Sequence, residues 1–90
     1  MNFNEQMKND ALTKIVVFWK KPHPEHGKSF RSFSLDGPKN RRENNPWPAI
    51  NRYVAAIARN EAGNYNCILV YDKTTDQLIL KIDQNGQWHY

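Results

Sequence analysis

Cysteine and long apolar segments are scarce in this sequence of 90 residues. The single cysteine, Cys67, excludes an internal disulfide, and its position inside an apolar run is typical of a small core residue. No segment approaches the roughly 18 consecutive apolar residues of a membrane span, and the first residues lack the apolar region of a signal peptide. These absences predict a soluble protein in the cytoplasm that does not enter a membrane.

Complete catalytic and cofactor motifs are also missing, because the sequence has no P-loop, no Gly-x-Gly-x-x-Gly and no His-Glu-x-x-His. His23-Pro24-Glu25-His26 has a spacing that resembles a metal site, but a closed site needs further ligands, and those of note are Cys67 and His89. A zinc deaminase also requires Pro-Cys-x-x-Cys, which one cysteine cannot supply. The sequence therefore predicts no metal, no cofactor and no assignable catalytic residue, which favours a role other than catalysis.

The net positive charge lies in one internal stretch. The formal charge is +4, and residues 1–18 and 47–90 each contain as many acidic as basic side chains. Residues 19–46 instead contain seven basic and three acidic side chains. A segment of this kind is suited to neutralising phosphates or an acidic protein surface.

Local patterns predict a single α+β domain over residues 1–90, with the order β-β-α-β-β-β. A helix begins at Asn45-Pro46 and ends near Gly63, with Arg52 and Arg59 together on its polar face. This amphipathic helix is expected to pack on one face of an antiparallel sheet. β-branched, aromatic and alternating residues predict the strands of that sheet at 13–21, 29–35, 65–71, 77–83 and 87–90.

The first strand, with apolar residues on both sides, is predicted to be buried on both faces. Residues 1–12 are predicted to be flexible or a short helical lead-in, and residues 22–28 and 36–46 to be basic or polar loops. Asn85-Gly86 has the residue types of a type I′ turn.

Nucleic acid is the first predicted partner of the basic segment, with Trp19, Phe30 or Phe33 stacking on unpaired bases. Binding would be salt-dependent and weakly sequence-specific, because phosphates carry no sequence information. The binding residues are predicted from the basic stretch and the polar face of the helix: Lys20, Lys21, Lys28, Arg31, Lys39, Arg41, Arg42, Arg52 and Arg59.

Two other functions are compatible with the same residues. One is a small inhibitor or interaction protein, of the kind used by phages and mobile elements, that blocks a partner enzyme by occupying its nucleic-acid site or by meeting an acidic protein surface. The C-terminal edge strand, with Trp88 and Tyr90, would also allow a homodimer. The other is a small basic ribonuclease, in which a histidine (His23, His26 or His89) is acid or base and an arginine (Arg31, Arg41 or Arg42) stabilises the phosphorane.

Overall fold

Five antiparallel strands form one sheet in the computed structural model, which describes residues 10–25 and 27–90. The order across the sheet is β2-β1-β3-β4-β5, so β5 is an edge strand. A homodimer through that edge stays a prediction. The strands are β1 (Thr13–His23), β2 (Gly27–Phe33), β3 (Tyr65–Asp72), β4 (Leu78–Asp83) and β5 (Trp88–His89).

A helix over residues 47–60, α2, packs across the sheet and confirms the predicted α+β architecture. The sheet side beneath α2 is called the inner face. Its branched aliphatic side chains meet Ile50 and Val54 of α2, which are fully buried. The strands contribute Ile15, Val17, Ile68, Val70, Leu80 and Ile82 to this core.

The middle of α2 is wound as a π-helix over Ile50–Val54, between the α-helical segments Trp47–Ala49 and Ala55–Asn60. A π turn holds more residues than an α turn, which rotates the residues after it about the helix axis. Arg52 donates from Nη2 to the Leu35 carbonyl at 3.0 Å, whereas Arg59 lines a shallow cleft beside the β4–β5 turn. Both arginines are exposed, as predicted, but they have different neighbours.

The predicted loop at 36–46 is wrong in its middle, where the structure has a short helix, α1, at Pro38–Glu43. The extended residue Gly37 precedes it, a proline occupies its first position, and Asn44 ends it in the left-handed conformation with φ 52°. Two arginines in its last turn interact favourably with the helix dipole. None of its residues is buried, which explains why no apolar periodicity predicts it.

The predicted loop at 22–28 is too long, because β1 continues to His23 and β2 starts at Gly27. A proline at position 22 is tolerated in β1, since the pairing of β1 with β3 extends only to Trp19 and the register with β2 shifts after Phe18. His26, at the tip, lies outside the described residues.

The turn between β4 and β5 also differs from the type I′ prediction. Gly86 donates its N–H to the Asp83 carbonyl at 2.9 Å and has φ 82°, whereas Asn85 does not have a positive φ. A type I turn followed by a left-handed glycine has this pattern. The Asp83 carboxylate selects it by accepting the N–H groups of Asn85 and Gln87 at 2.9 and 3.0 Å.

Ala11 and Leu12, which lead into β1, are held by burial and by a hydrogen bond. Ala11 is buried, and Leu12 donates its N–H to the buried carboxylate of Asp36 at 3.0 Å. Asp36 also accepts the hydroxyl of Ser34. The predicted flexible segment at 1–12 otherwise lies outside the described residues. Within the described ranges, no helix has the length and apolar character needed to cross a membrane.

Candidate nucleic-acid interface

The sheet side opposite α2, called the outer face, presents both rings and cations. On this side Phe18 is 41% exposed, and Arg31 and Lys81 are exposed. The prediction that β1 is buried on both faces is therefore wrong at Phe18, because α2 covers only the inner face, although Val16 on the outer face is buried. By strand alternation and register, the outer face includes Lys14, Val16, Phe18, Lys20, Arg31, Phe33, Leu69, Tyr71 and Lys81.

Strand register orders these side chains in rows across the sheet. One row runs from Arg31 through Val16 and Leu69 to Lys81, so a cation lies at each end of an apolar centre. Three strand spacings separate these two cations, which is about 14 Å. The neighbouring row has Phe33 and Tyr71 on the two sides of Lys14.

Cations outnumber carboxylates on this face. Asp76, between β3 and β4, lies at the end of this face where β1 begins. It forms an ion pair with Lys14, with Oδ1 3.2 Å from Nζ. Asp83 is held by His89, whose Nε2 lies 2.8 Å from Oδ2. The hydrogen bond from His89 and then the one from the Gln87 N–H lower the pKa of Asp83, so this carboxylate is charged at neutral pH. Unlike Asp83, Asp76 lies next to the rings of Phe18 and Tyr71.

A shallow depression of about 290 Å³ lies between the rings and the cations. Lys14, Phe18, Arg31, Tyr71 and Asp76 line it. The Lys14 Nζ is 5.2 Å from the centroid of the Tyr71 ring, a cation–π distance. The depression thus combines aromatic surface with donors for phosphate oxygens.

The structure distributes the predicted basic residues over several surfaces. Lys20 and Arg31 lie on the outer face. The other predicted residues lie at the β1–β2 tip (Lys21, Lys28), on α1 (Lys39, Arg41, Arg42) and on α2 (Arg52, Arg59).

The tip and α1 are far apart. The part of β1 between Lys21 and Thr13 is about 26 Å long, and α1 follows the end of β2 that pairs near Thr13. Arg41 of α1 is also in an ion pair with Asp10 at 3.1 Å. The predicted residues do not form one continuous patch.

The predicted stacking residues are corrected in part. Trp19 is buried in the core and Phe30 packs against it, so neither is available on the outer face. Phe33 does lie on that face, together with Phe18 and Tyr71, which the sequence prediction omitted. The alternation of Lys14, Phe18 and Lys20 along β1 is the signal in the sequence for Phe18.

Of the histidines that the structure describes, neither His23 nor His89 lies beside Arg31, as a ribonuclease site would require. His23 accepts the Glu25 N–H at Nδ1 (3.1 Å), so its neutral ring carries the proton on Nε2, which lies 3.8 Å from Glu61. In this arrangement Nε2 is not a base. His89 is on β5, four strand spacings or about 19 Å from Arg31. Within residues 10–25 and 27–90, no three His, Cys, Asp or Glu side chains are grouped to hold a metal ion.

Comparison with known proteins does not assign the chain to a family. No family model, no curated protein and no solved structure matches it. An α+β sheet with one helix supports many unrelated functions, so the architecture alone does not select one. The function is therefore inferred from the chemistry of the outer face.

Proposed function

We propose that the protein binds nucleic acid through the outer face of its sheet and does not catalyse a reaction. The observation that carries this proposal is the row in which Arg31 and Lys81 lie on the two sides of an apolar centre, next to the exposed ring of Phe18, on the face that α2 leaves open. Lys20, Arg31 and Lys81 come from β1, β2 and β4, respectively. Phosphate neutralisation by such cations supplies most of the affinity of nonspecific nucleic-acid binding.

The spacing of the cations suits an extended polyanion better than a single small anion. Arg31 and Lys81 are about 14 Å apart, and Lys20 lies a further four residues, about 13 Å, along β1 from Val16. A single phosphate group is much smaller than these separations, so each cation contacts a different phosphate of an extended strand. A guanidinium such as that of Arg31 also binds phosphate oxygens in a bidentate manner.

The first test is the salt dependence of oligonucleotide binding. Three or four phosphate contacts predict that the association constant for a single strand falls about 20- to 50-fold between about 50 and 200 mM salt. Fluorescence anisotropy of a labelled oligonucleotide of about 12 nucleotides measures this slope. An absence of binding at the lowest salt concentration would contradict the proposal.

The Asp76→Asn variant is expected to bind more tightly than the wild type. Removal of the carboxylate frees Lys14 and takes a negative charge from the depression. Exposed ion pairs contribute about 0.2–1 kcal/mol, so we expect affinity to rise about 1.5- to 5-fold. Asp76 has φ 60°, a conformation that asparagine also tolerates, so the turn is retained.

The same titration measures the affinity of this variant. Asp72 is unsuitable as a control site, because its carboxylate accepts two turn N–H groups. Glu43→Gln on α1 is the matched control, since it removes one exposed negative charge from an element that is not part of the sheet. Equal gains in both variants would show that net charge, rather than the depression, determines affinity.

A second candidate function is binding to an acidic protein surface, in the manner of an inhibitor. It is favoured by Leu78, which is 52% exposed and lies beside Tyr71 on the outer face. Exposed apolar side chains among cations are found at protein interfaces as well as at nucleic-acid interfaces. This candidate requires one stoichiometric partner whose binding is lost in Arg31→Glu, together with no salt-dependent binding of oligonucleotides.

A further inference from the structure

We infer that the nucleic acid bound by the outer face is single-stranded, with bases stacked on Phe18, Phe33 and Tyr71; this inference rests on the proposed function. Phe18 is the most exposed of the three rings, and Phe33 and Tyr71 are half-buried around Lys14. Aromatic side chains stack on bases of any sequence, because every base has a π face.

The separation of the rings indicates unstacked bases. Phe33 and Tyr71 lie two strand spacings apart, about 9–10 Å, and Phe18 is four residues, about 13 Å, further along the strands from their row. Stacked bases in a duplex are only about 3.4 Å apart along each strand. Three rings at these distances contact three separate bases only if the strand is extended and its bases are splayed.

Cations alternate with the rings across the outer face, as phosphates alternate with nucleosides along a nucleic-acid strand. Arg31 is two residues from Phe33 along β2 and diagonal to Phe18, whose direct partner is Ser29. Diagonal neighbours in an antiparallel sheet are about 7–8 Å apart. Lys14 is likewise placed between Phe33 and Tyr71. A strand crossing the face therefore meets a ring, a cation and a second ring in turn.

A duplex does not offer the same contacts. Its base faces are enclosed in the stack, so only its phosphates and groove edges are accessible to a sheet. The rings of the outer face would then remain in contact with solvent, and binding would depend on the cations alone. The aromatic contribution is consequently specific to the single strand.

The test compares a labelled single-stranded DNA of about 12 nucleotides with its duplex at low salt, for the wild type and Phe18→Leu. Leucine keeps an apolar side chain on the strand but removes the ring. We expect the wild type to bind the single strand at least about 10-fold more tightly than the duplex. Loss of one stacking contact predicts that Phe18→Leu binds the single strand about 5- to 20-fold more weakly, with duplex affinity within about 2-fold of wild type.

Two further variants separate stacking from folding. Phe18→Trp restores an aromatic surface and is expected to recover single-strand affinity. Tyr90→Leu is the matched control, because Tyr90 is 84% exposed but packs with Trp47 on the α2 side of the sheet. This variant is expected to bind as the wild type does.

The outcomes distinguish this inference from the proposed function. Equal affinity for both probes, or a Phe18→Leu variant that binds the single strand as tightly as the wild type, would overturn the single-strand inference and leave nucleic-acid binding intact. A loss in Phe18→Leu that Phe18→Trp does not recover would also overturn it. If neither probe binds at low salt, the proposed function itself fails.

Discussion

Replacement of Leu80 by alanine is expected to lower the free energy of unfolding by about 2–5 kcal/mol. Leu80 lies on the inner face of β4, is fully buried and belongs to the core beneath α2. Alanine removes apolar contacts and leaves a cavity that the surrounding side chains fill only in part. Total stability for a domain is about 5–15 kcal/mol, so the loss is a large fraction of it. We expect the Tm to fall by more than about 8 °C in thermal denaturation followed by circular dichroism.

Leu78→Ala is the matched control, with the same chemical change on the same strand. Leu78 is 52% exposed, so the expected change is within about 0.5 kcal/mol. Simple alternation would place Leu78 and Leu80 on the same face, but a register shift next to Val70 pairs Leu78 with Tyr71 of the outer face. Equal destabilisation by the two substitutions would contradict this assignment of faces.

The element order was predictable because each strand carries its own local signal. β-branched and aromatic runs identified β1 and β3, and apolar residues at helical spacing identified the helix that becomes α2. Once five strands and one amphipathic helix are given, an antiparallel sheet with the helix on one face is the simplest packing. The structure confirms that arrangement.

Irregular features were not predictable in the same way. The register shift at Leu78 and the π-helical segment of α2 depend on how elements fit against each other, and their sequences look regular. α1 has no apolar face, so its only signals are its ends. Polar segments of this kind are predicted as loops, because they contain no apolar residues whose spacing would indicate a buried helix face.

The net charge of each segment of the chain does not identify the cations of the candidate site. Lys20 and Arg31 belong to the segment with net positive charge, but Lys81 lies in a segment whose charges cancel. Sheet register, and not sequence proximity, brings Lys81 into the row of Arg31. Likewise, Phe18 is exposed because α2 covers only the inner face of the sheet. The sequence of β1 alone does not indicate which of its faces is covered.

The double variant Arg31→Glu/Lys81→Glu is expected to lower affinity for the single-stranded probe by about 50-fold or more at about 50 mM salt. Each phosphate contact contributes about 0.7 to the salt slope, equivalent to about 8-fold in affinity at this concentration, and reversal adds repulsion. The two side chains are about 14 Å apart, so their effects should add. The slope of log K against log salt should also become less negative by about 1.4.

Lys39→Glu/Arg59→Glu changes the net charge by the same amount and is the matched control. Lys39 lies exposed on α1, and Arg59 lies exposed on α2, on the inner-face side. Arg59 lies on the opposite side of the sheet from the outer face, and α1 is not part of the sheet. Both double variants are therefore also compared at 0.1 M salt, where the Debye length is about 10 Å, and we expect this control to bind within about 3-fold of the wild type there. Both double variants should melt as the wild type does, because all four side chains are exposed. Equal losses of binding would mean that overall charge governs association, whereas a loss confined to Arg31 and Lys81 would locate the phosphates on the outer face.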